Sequence, residues 1–167
     1  MAVAEIINKR RSIRKYKKGA EVSDEQIRSM LEAAMMAPSA ANGRPWEFVV
    51  VRDRDVMEKM MGAHPWAFML ESASLAIVVC GLPDAAEPSE KYFPQDCGAA
   101  TQNILLQAGE LGLGACWCGV YPSEGRAEQF QEILGVGSIP ICLIAVGVPD
   151  ESPAAKGFFD PAKVKYI

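Results

Sequence analysis

The sequence predicts a layered α+β sandwich, and three observations carry that expectation. Trp46 to Val51, Leu75 to Cys80, Ala115 to Val120 and Ile141 to Val146 are short apolar runs without polar alternation. Strands of that kind belong to a sheet covered on both faces. Segments of helical period stand before, between and after them, which supplies the covering layers. The chain has 167 residues, 50% of them hydrophobic and 23% charged. That profile is globular, and a chain of this length buries roughly 70% of its unfolded surface. One folded unit over residues 1–167 is expected.

Taken in order, Val3 to Lys9 reads as a short helix that runs into a basic segment. Ser23-Asp24-Glu25-Gln26 is a capping box, opening a helix with Ile27, Met30, Leu31 and Ala34 on one face. Pro38 follows its end, and APSAANGRP is a loop by composition. After the strand at Trp46, Asp53 is placed to cap a helix through Met61, with Gly62 as its stop. Gly81 to Phe93 is loop-like, and Pro94 suits the first turn of a long helix through Leu111, ended by Gly112. A helix from about Arg126 to Leu134 separates the last two strands. The tail after Val148 is polar, rich in Pro and Gly, and closes on VKYI. Its apolar end suits docking on a partner chain.

Charge is unevenly spread. Formal net charge is -4, yet KRRSIRKYKK from Lys9 to Lys18 holds seven cations and no acid, leaving 10 cations against 21 acids elsewhere. A basic island in an acidic chain points to a local anion site more than to a polyanion-binding surface. No apolar run approaches the ~18 residues of a membrane span. The start, MAVAEIINKRR, lacks the apolar centre of a secretory signal, so a cytoplasmic location is expected. Cys80, Cys97, Cys116, Cys118 and Cys142 lie mostly in apolar runs and read as reduced core residues.

Several motifs carry no chemistry. Gly112-Leu113-Gly114 and Gly135-Val136-Gly137 follow helices and precede strands, the reverse of a dinucleotide loop, and read as helix stops. Cys116-Trp117-Cys118 cannot complete a zinc or iron-sulfur set in a chain with one histidine. His64, between Ala63 and Pro65, reads as a helix-end or surface residue, and Trp66 and Phe68 as core or interface.

Three segments offer a site. In Arg10-Arg11-Ser12-Ile13-Arg14-Lys15-Tyr16, fixed guanidinium forks suit a phosphate or delocalised anion, with Ile13 and Tyr16 as anchors. A solvated basic stretch or a nucleic-acid contact stays open on this segment alone. Ala37-Pro38-Ser39-Ala40-Ala41-Asn42-Gly43-Arg44-Pro45-Trp46 is a stiff loop of short side chains that lets backbone approach a ligand, with hydrogen bonds from Ser39 and Asn42. Gly119 to Gly125 joins a strand to a helix, where free backbone N–H groups can donate.

Together, in this order, these motifs resemble the FMN-dependent nitroreductase family across essentially the whole chain. The resemblance rests on RRSIRKY, the PSxxNxxPW loop, the helix with NILLQA leading to LGLG, and the Tyr-Pro-x-Glu-Gly turn. It implies a nitroreductase-like three-layer α-β-α sandwich with a mixed sheet of about five strands. The last strand would be the C-terminal tail, exchanged within a homodimer. By the same resemblance Arg10, Ser12 and Arg14 contact the phosphate and pyrimidine edge of FMN, with Arg11 near the ribityl chain. Pro38, Ser39, Ala40 and Asn42 match positions that reach the flavin from the partner. Pro122 and Ser123 lie against the ring, the backbone of Glu124 and Gly125 faces flavin N5, and Lys156 is a second phosphate cation.

The implied activity is hydride transfer from NAD(P)H through FMN to a small acceptor such as a nitroarene or quinone, in a ping-pong cycle. No catalytic side chain, metal, nucleic acid or membrane is expected, because the cofactor carries the chemistry. A relative acting on oxygen, a halogenated substrate or the flavin itself is the alternative, and a phosphate or nucleic-acid binder the more distant one. The chain departs from the family at Arg44, Ala40, Ala41 and Phe158, which replace a glutamine, two hydroxyl residues and a second basic residue. Gly81 to Phe93 is short where longer members insert helices, so only Tyr92, Phe93 and Tyr121 are offered as borders of the acceptor pocket.

Overall fold

A computed structural model describes residues 3–123, 125–154, 157 and 159–167, with Val3 described by its backbone. The strands are β1 (Trp46–Val51), β2 (Leu75–Gly81), β3 (Gly114–Gly119) and β4 (Ile139–Gly147), in sheet order β1-β2-β4-β3. The helices are α1 (Val3–Lys9), α2 (Asp24–Met35), α3 (Arg54–Ala63), α4 (Ser89–Glu110) and α5 (Arg126–Leu134). Short 3₁₀ turns lie at Ala40–Asn42, Phe68–Glu71 and Pro161–Lys163.

The sheet is buried on both sides, which is why its strands do not alternate with polar residues. Leu75, Ile77 and Val79 of β2 face a layer that includes Ile27 and Met30 of α2 and Cys97, Ile104 and Ala108 of α4. Ala76, Val78 and Cys80 face the opposite layer, with Met57 and Met60 of α3 and Phe130 of α5. Period-2 alternation of side chains across a strand makes one apolar run serve two cores. The three-layer sandwich follows from that division.

All three strand pairings are antiparallel. Within the described residues, the parallel component of a mixed sheet is confined to an isolated bridge between Ser12 and Ala115. Among the described residues the sheet has four strands, without a fifth. Val164 is extended, and Tyr166 and Ile167 are fully open to solvent.

Local signals act as the sequence implies. Ser23 and Gln26 complete the capping box of α2, and Asp53 accepts from the N–H groups of Asp55 and Val56 at the start of α3. Gly112 and Gly135 end α4 and α5 with left-handed φ of 73° and 66°. β3 starts one residue early and β4 two, at Gly114 and Ile139, and two helix boundaries shift. α3 passes Gly62 and stops at Ala63 before Pro65, because an interior glycine weakens a helix but proline ends it. α4 begins at Ser89 rather than at Pro94, which leaves that proline inside the helix. Phe93, one residue earlier, is buried against Gly81 and holds the additional turn in place.

All five cysteines are free and buried. Burial pushes the thiols of Cys80 and Cys97 up to about 11 and about 12, so they stay protonated core groups.

Candidate functional site

The basic segment starts where α1 ends. Arg11 folds back on that end, donating from Nη1 to the Arg10 carbonyl and from Nη2 to the Asn8 carbonyl (2.6 Å). Its guanidinium therefore satisfies carbonyls that the terminating helix leaves open. Beyond it the chain runs extended alongside β3. The Ile13 N–H donates to the Ala115 carbonyl (3.0 Å), and the N–H groups of Lys17 and Asp150 bond the carbonyls of Val148 and Lys15 (both 2.9 Å). The Glu151 carboxylate accepts from the N–H groups of Arg14 and Lys15.

The two expected anchors are in place. Ile13 is buried against Gly114, and Tyr16 is buried with its hydroxyl donating to the Ile13 carbonyl (2.6 Å), near the Ala145 carbonyl (3.1 Å). Burial holds that phenol well above its ordinary range, so Tyr16 is a donor and stays neutral. Arg10 is half-buried and Arg14 exposed, and neither guanidinium has a hydrogen bond or ion pair among the described residues. Arg10, held at the end of α1, and Arg14, held on extended chain by Glu151, have guanidinium donors free among the described residues and form an anion-ready edge.

The turn after β3 lies on the same edge. The N–H groups of Val120 and Tyr121 both donate to the Ile141 carbonyl (2.9 and 3.1 Å), and Ser123 N–H closes the turn on Val120 (3.1 Å). Arg126 Nη1 donates to the Ser123 hydroxyl (2.9 Å), and Gly125 enters α5 with φ of 72°. Pro122 is exposed. Gly119 has no atom within 4 Å of where a Cβ would stand, so the backbone there is open to a ligand. Glu124 and Lys156 lie outside the described residues, as does Phe158.

The proline-framed loop lies elsewhere. It leads into β1, whereas Arg10 to Arg14 flank β3, and these strands are the two edges of the sheet. Three strand spacings separate them, roughly 14 Å. Pro38 is exposed, and the Ser39 hydroxyl accepts from Arg44 N–H (3.0 Å) while Asn42 Oδ1 accepts from Arg44 Nε (3.2 Å). Ala41, Asn42 and Arg44 have φ of 49°, 55° and 48°. Left-handed backbone at residues other than glycine costs on the order of 1–3 kcal/mol each, and it persists where surrounding contacts enforce it.

One of those contacts escaped the sequence reading. Asp96 of α4, 7% exposed, accepts the Ala40 N–H on both carboxylate oxygens (3.2 and 3.3 Å). A signal existed, since an aspartate stands in the stripe Phe93, Cys97, Ala100, Ile104 that α4 turns to the core. Asn103 and Gln107, noted only as motif residues, tie α4 to α2 through the Ala33 carbonyl (2.9 Å) and the Ser29 hydroxyl (3.0 Å).

Other expectations are narrowed. His64 caps α3 but is not at the surface: it is 2% exposed, Nε2 donates to the Gly119 carbonyl (2.8 Å), and Nδ1 accepts the Trp66 N–H (3.1 Å). Trp66 and Phe68 are exposed, so neither is core. Phe93 is buried against Tyr121, ring centroids 5.7 Å apart, while Tyr92 and Tyr121 stay exposed.

An open-edged α+β sandwich with an anion-ready segment along one edge and a strained, short-chain loop on the other is the class that fold and site define. Comparison with known proteins makes it specific. The profile described as Nitroreductase family matches residues 7–64 and 60–148. The chain belongs to the nitroreductase family. It is 45% identical over 166 residues to a protein of Methanothermobacter thermautotrophicus provisionally named NADH dehydrogenase/NAD(P)H nitroreductase, covering 98% of this chain and 86% of that one. The FMN-dependent nitroreductase of Clostridium difficile R20291 superposes with a TM-score of 0.88 at 33% identity, covering 98% of each chain. A provisionally named nitroreductase from Desulfovibrio desulfuricans, solved in complex with FMN, superposes at 0.88 with 30% identity, covering 100% of this chain and 97% of that one.

Arg11 provides a test of how the basic segment divides its work. Arg11→Ala is expected to destabilise the fold by about 1 kcal/mol through its lost helix-end bonds. FMN affinity should change less than in Arg10→Ala. Thermal unfolding and flavin titration of both variants measure the two effects, and a larger flavin effect from Arg11 would reverse the assignment.

Proposed function

We propose that the chain is an NAD(P)H-dependent oxidoreductase that uses FMN and delivers hydride to a small acceptor such as a nitroarene or quinone. The observation that carries this reading is the pair of uncommitted guanidinium groups, Arg10 and Arg14, beside the open end of β3. FMN suits that chemistry, since it offers a phosphate at one end and a pyrimidine edge that gains negative charge on reduction. Bound FMN supplies hydride acceptance from a nicotinamide and donation to the acceptor in alternation.

The residues of the chain bind and orient. Arg10 and Ser12 hold phosphate oxygens, and Arg14 places positive charge at the pyrimidine edge, where it favours the reduced state. Pro122 and Ser123 lie against the ring, and the turn ending at Gly125 aims backbone N–H at its reactive atom. Glu124 and Lys156 complete the set by the family resemblance. Ser39, Ala40 and Asn42 sit at the wrong edge to join Arg14 within one chain. A second copy brings them there, and the exposed Tyr166 and Ile167 of the tail add a strand to that copy. The homodimer therefore makes two shared sites. Tyr92 and Tyr121 border the acceptor, and the protein works in the cytoplasm.

A visible spectrum of the purified protein tests the reading. A flavin band that bleaches on anaerobic NADH or NADPH is the expected result. A colourless protein that takes up no added FMN would falsify it.

A further inference from the structure

A second group of residues lies next to this edge and has no part in the activity above. Cys116 and Cys118 occupy alternate positions of β3, so both thiols point into the layer that holds α3 and α5. Cys118 Sγ is 3.9 Å from Met69 Sδ. These three sulfurs line an open cavity of about 330 Å³, together with Arg14 and Arg126. His64 also lines it, but both ring nitrogens are already engaged.

The spacing selects what the pair can hold. Positions i and i+2 of a strand are separated by two rises, roughly 6.7 Å. A disulfide needs Cβ atoms about 3.5–4.5 Å apart, so the backbone holds this pair too far apart for one. One ion between two sulfurs at roughly 2.3 Å from each sets them about 4.6 Å apart, which two side chains standing side by side can reach. Zinc is not the candidate, because it needs four ligands. Among the described residues no cluster of three or more His, Cys, Asp and Glu is placed for a metal. Two thiolates backed by a thioether are the donor set of a soft ion.

We propose that Cys116 and Cys118, supported by Met69, form a binding site for a soft monovalent metal ion, Cu(I). On binding, both S–H bonds break, two S–Cu bonds form, and two protons pass to solvent. Copper remains Cu(I) throughout, so no oxidant or reductant is consumed. The product carries one net negative charge, and Arg14 on the cavity wall offsets it.

Arg14 is shared with the proposed flavin site, but the two readings fail separately. The test is an anaerobic titration of the purified protein, as isolated, against the coloured Cu(I) complex of bicinchoninate, with the flavin band followed in the same cuvette. Withdrawal of one Cu(I) per chain is expected, lost in Cys116→Ser and in Cys118→Ser and weakened at least tenfold in Met69→Leu. Cys97→Ser, in the opposite core layer, should bind as the wild type does. X-ray absorption at the copper edge of the loaded wild type should find sulfur neighbours alone, a readout that does not depend on the variants folding. No withdrawal by the wild type, equal withdrawal by Cys118→Ser, or nitrogen and oxygen around the copper would each overturn the site. A colourless protein that still takes up Cu(I) overturns only the flavin reading.

Discussion

Replacing Arg10 and Arg14 together by alanine is expected to yield a protein that elutes without colour and binds added FMN at least a hundredfold more weakly. Arg10 is held at the end of α1 and Arg14 on extended chain between β3 and the Val148–Glu151 segment, and among the described residues the donors of both are unspent. A charge-assisted hydrogen bond contributes about 1.5–3 kcal/mol, so two independent losses come to roughly 3–6 kcal/mol. That range converts to between about 10² and 10⁴ in dissociation constant. The fold should be spared, because among the described residues neither side chain makes a bond that supports it. Quenching of FMN fluorescence reads the affinity, and thermal unfolding without FMN reads the fold. Arg10→Lys/Arg14→Lys keeps the charge but not the planar fork, and should fall between the two. A double alanine variant with wild-type affinity would leave the phosphate without its main partner, and the assignment of this edge would fail.

How far the sequence disclosed this site depends on the range of each interaction. The cap at Ser23, the stops at Gly112 and Gly135 and the buried strands are set by neighbours a few residues away, and all are where the pattern places them. Tyr16 and Ile13 were legible as anchors because apolar residues inside a basic run have few other uses. Asp96 was not read as the support of Ala40, since the two are 56 residues apart and the stripe on α4 gave no partner. Glu151 holds the Arg14 and Lys15 N–H groups across more than 130 residues, and nothing local marks it. His64 is the helix-end residue that its position after Ala63 suggests, but its burial is not legible for the same reason. Its flanks look like a surface turn, but its burial depends on the Gly119 carbonyl at the end of a strand it does not adjoin in sequence. The opposite edges taken by Ser39 and Arg14 come from the order of strands, which periodicity does not encode.

Gly114→Ala is expected to lower stability and flavin affinity together, because one missing Cβ seats the whole basic segment. A Cβ at Gly114 would stand 2.8 Å from Ile13 Cγ2 and 2.9 Å from its Cβ, closer than real carbon contacts allow. Ile13 is a β-branched side chain pinned by the Ala115 carbonyl and by the Tyr16 hydroxyl, so neither it nor its backbone has room to yield. Overpacking of this kind costs about 1–3 kcal/mol, which in a domain of this size lowers the melting temperature by roughly 2–12 °C. The strain is relieved by moving the segment away from β3, and Ser12 and Arg14 move with it. Ile13→Ala alone should also destabilise, by loss of buried apolar area. In the double variant the Cγ1 and Cγ2 contacts are gone while the 2.9 Å contact with the Cβ of residue 13 remains, so the two costs should be less than additive without cancelling. Partial recovery of both melting temperature and FMN affinity in Ile13→Ala/Gly114→Ala, relative to Gly114→Ala, is the expected result. Additive losses would mean that the glycine serves strand pairing alone, and that the arginines are positioned by something other than this contact.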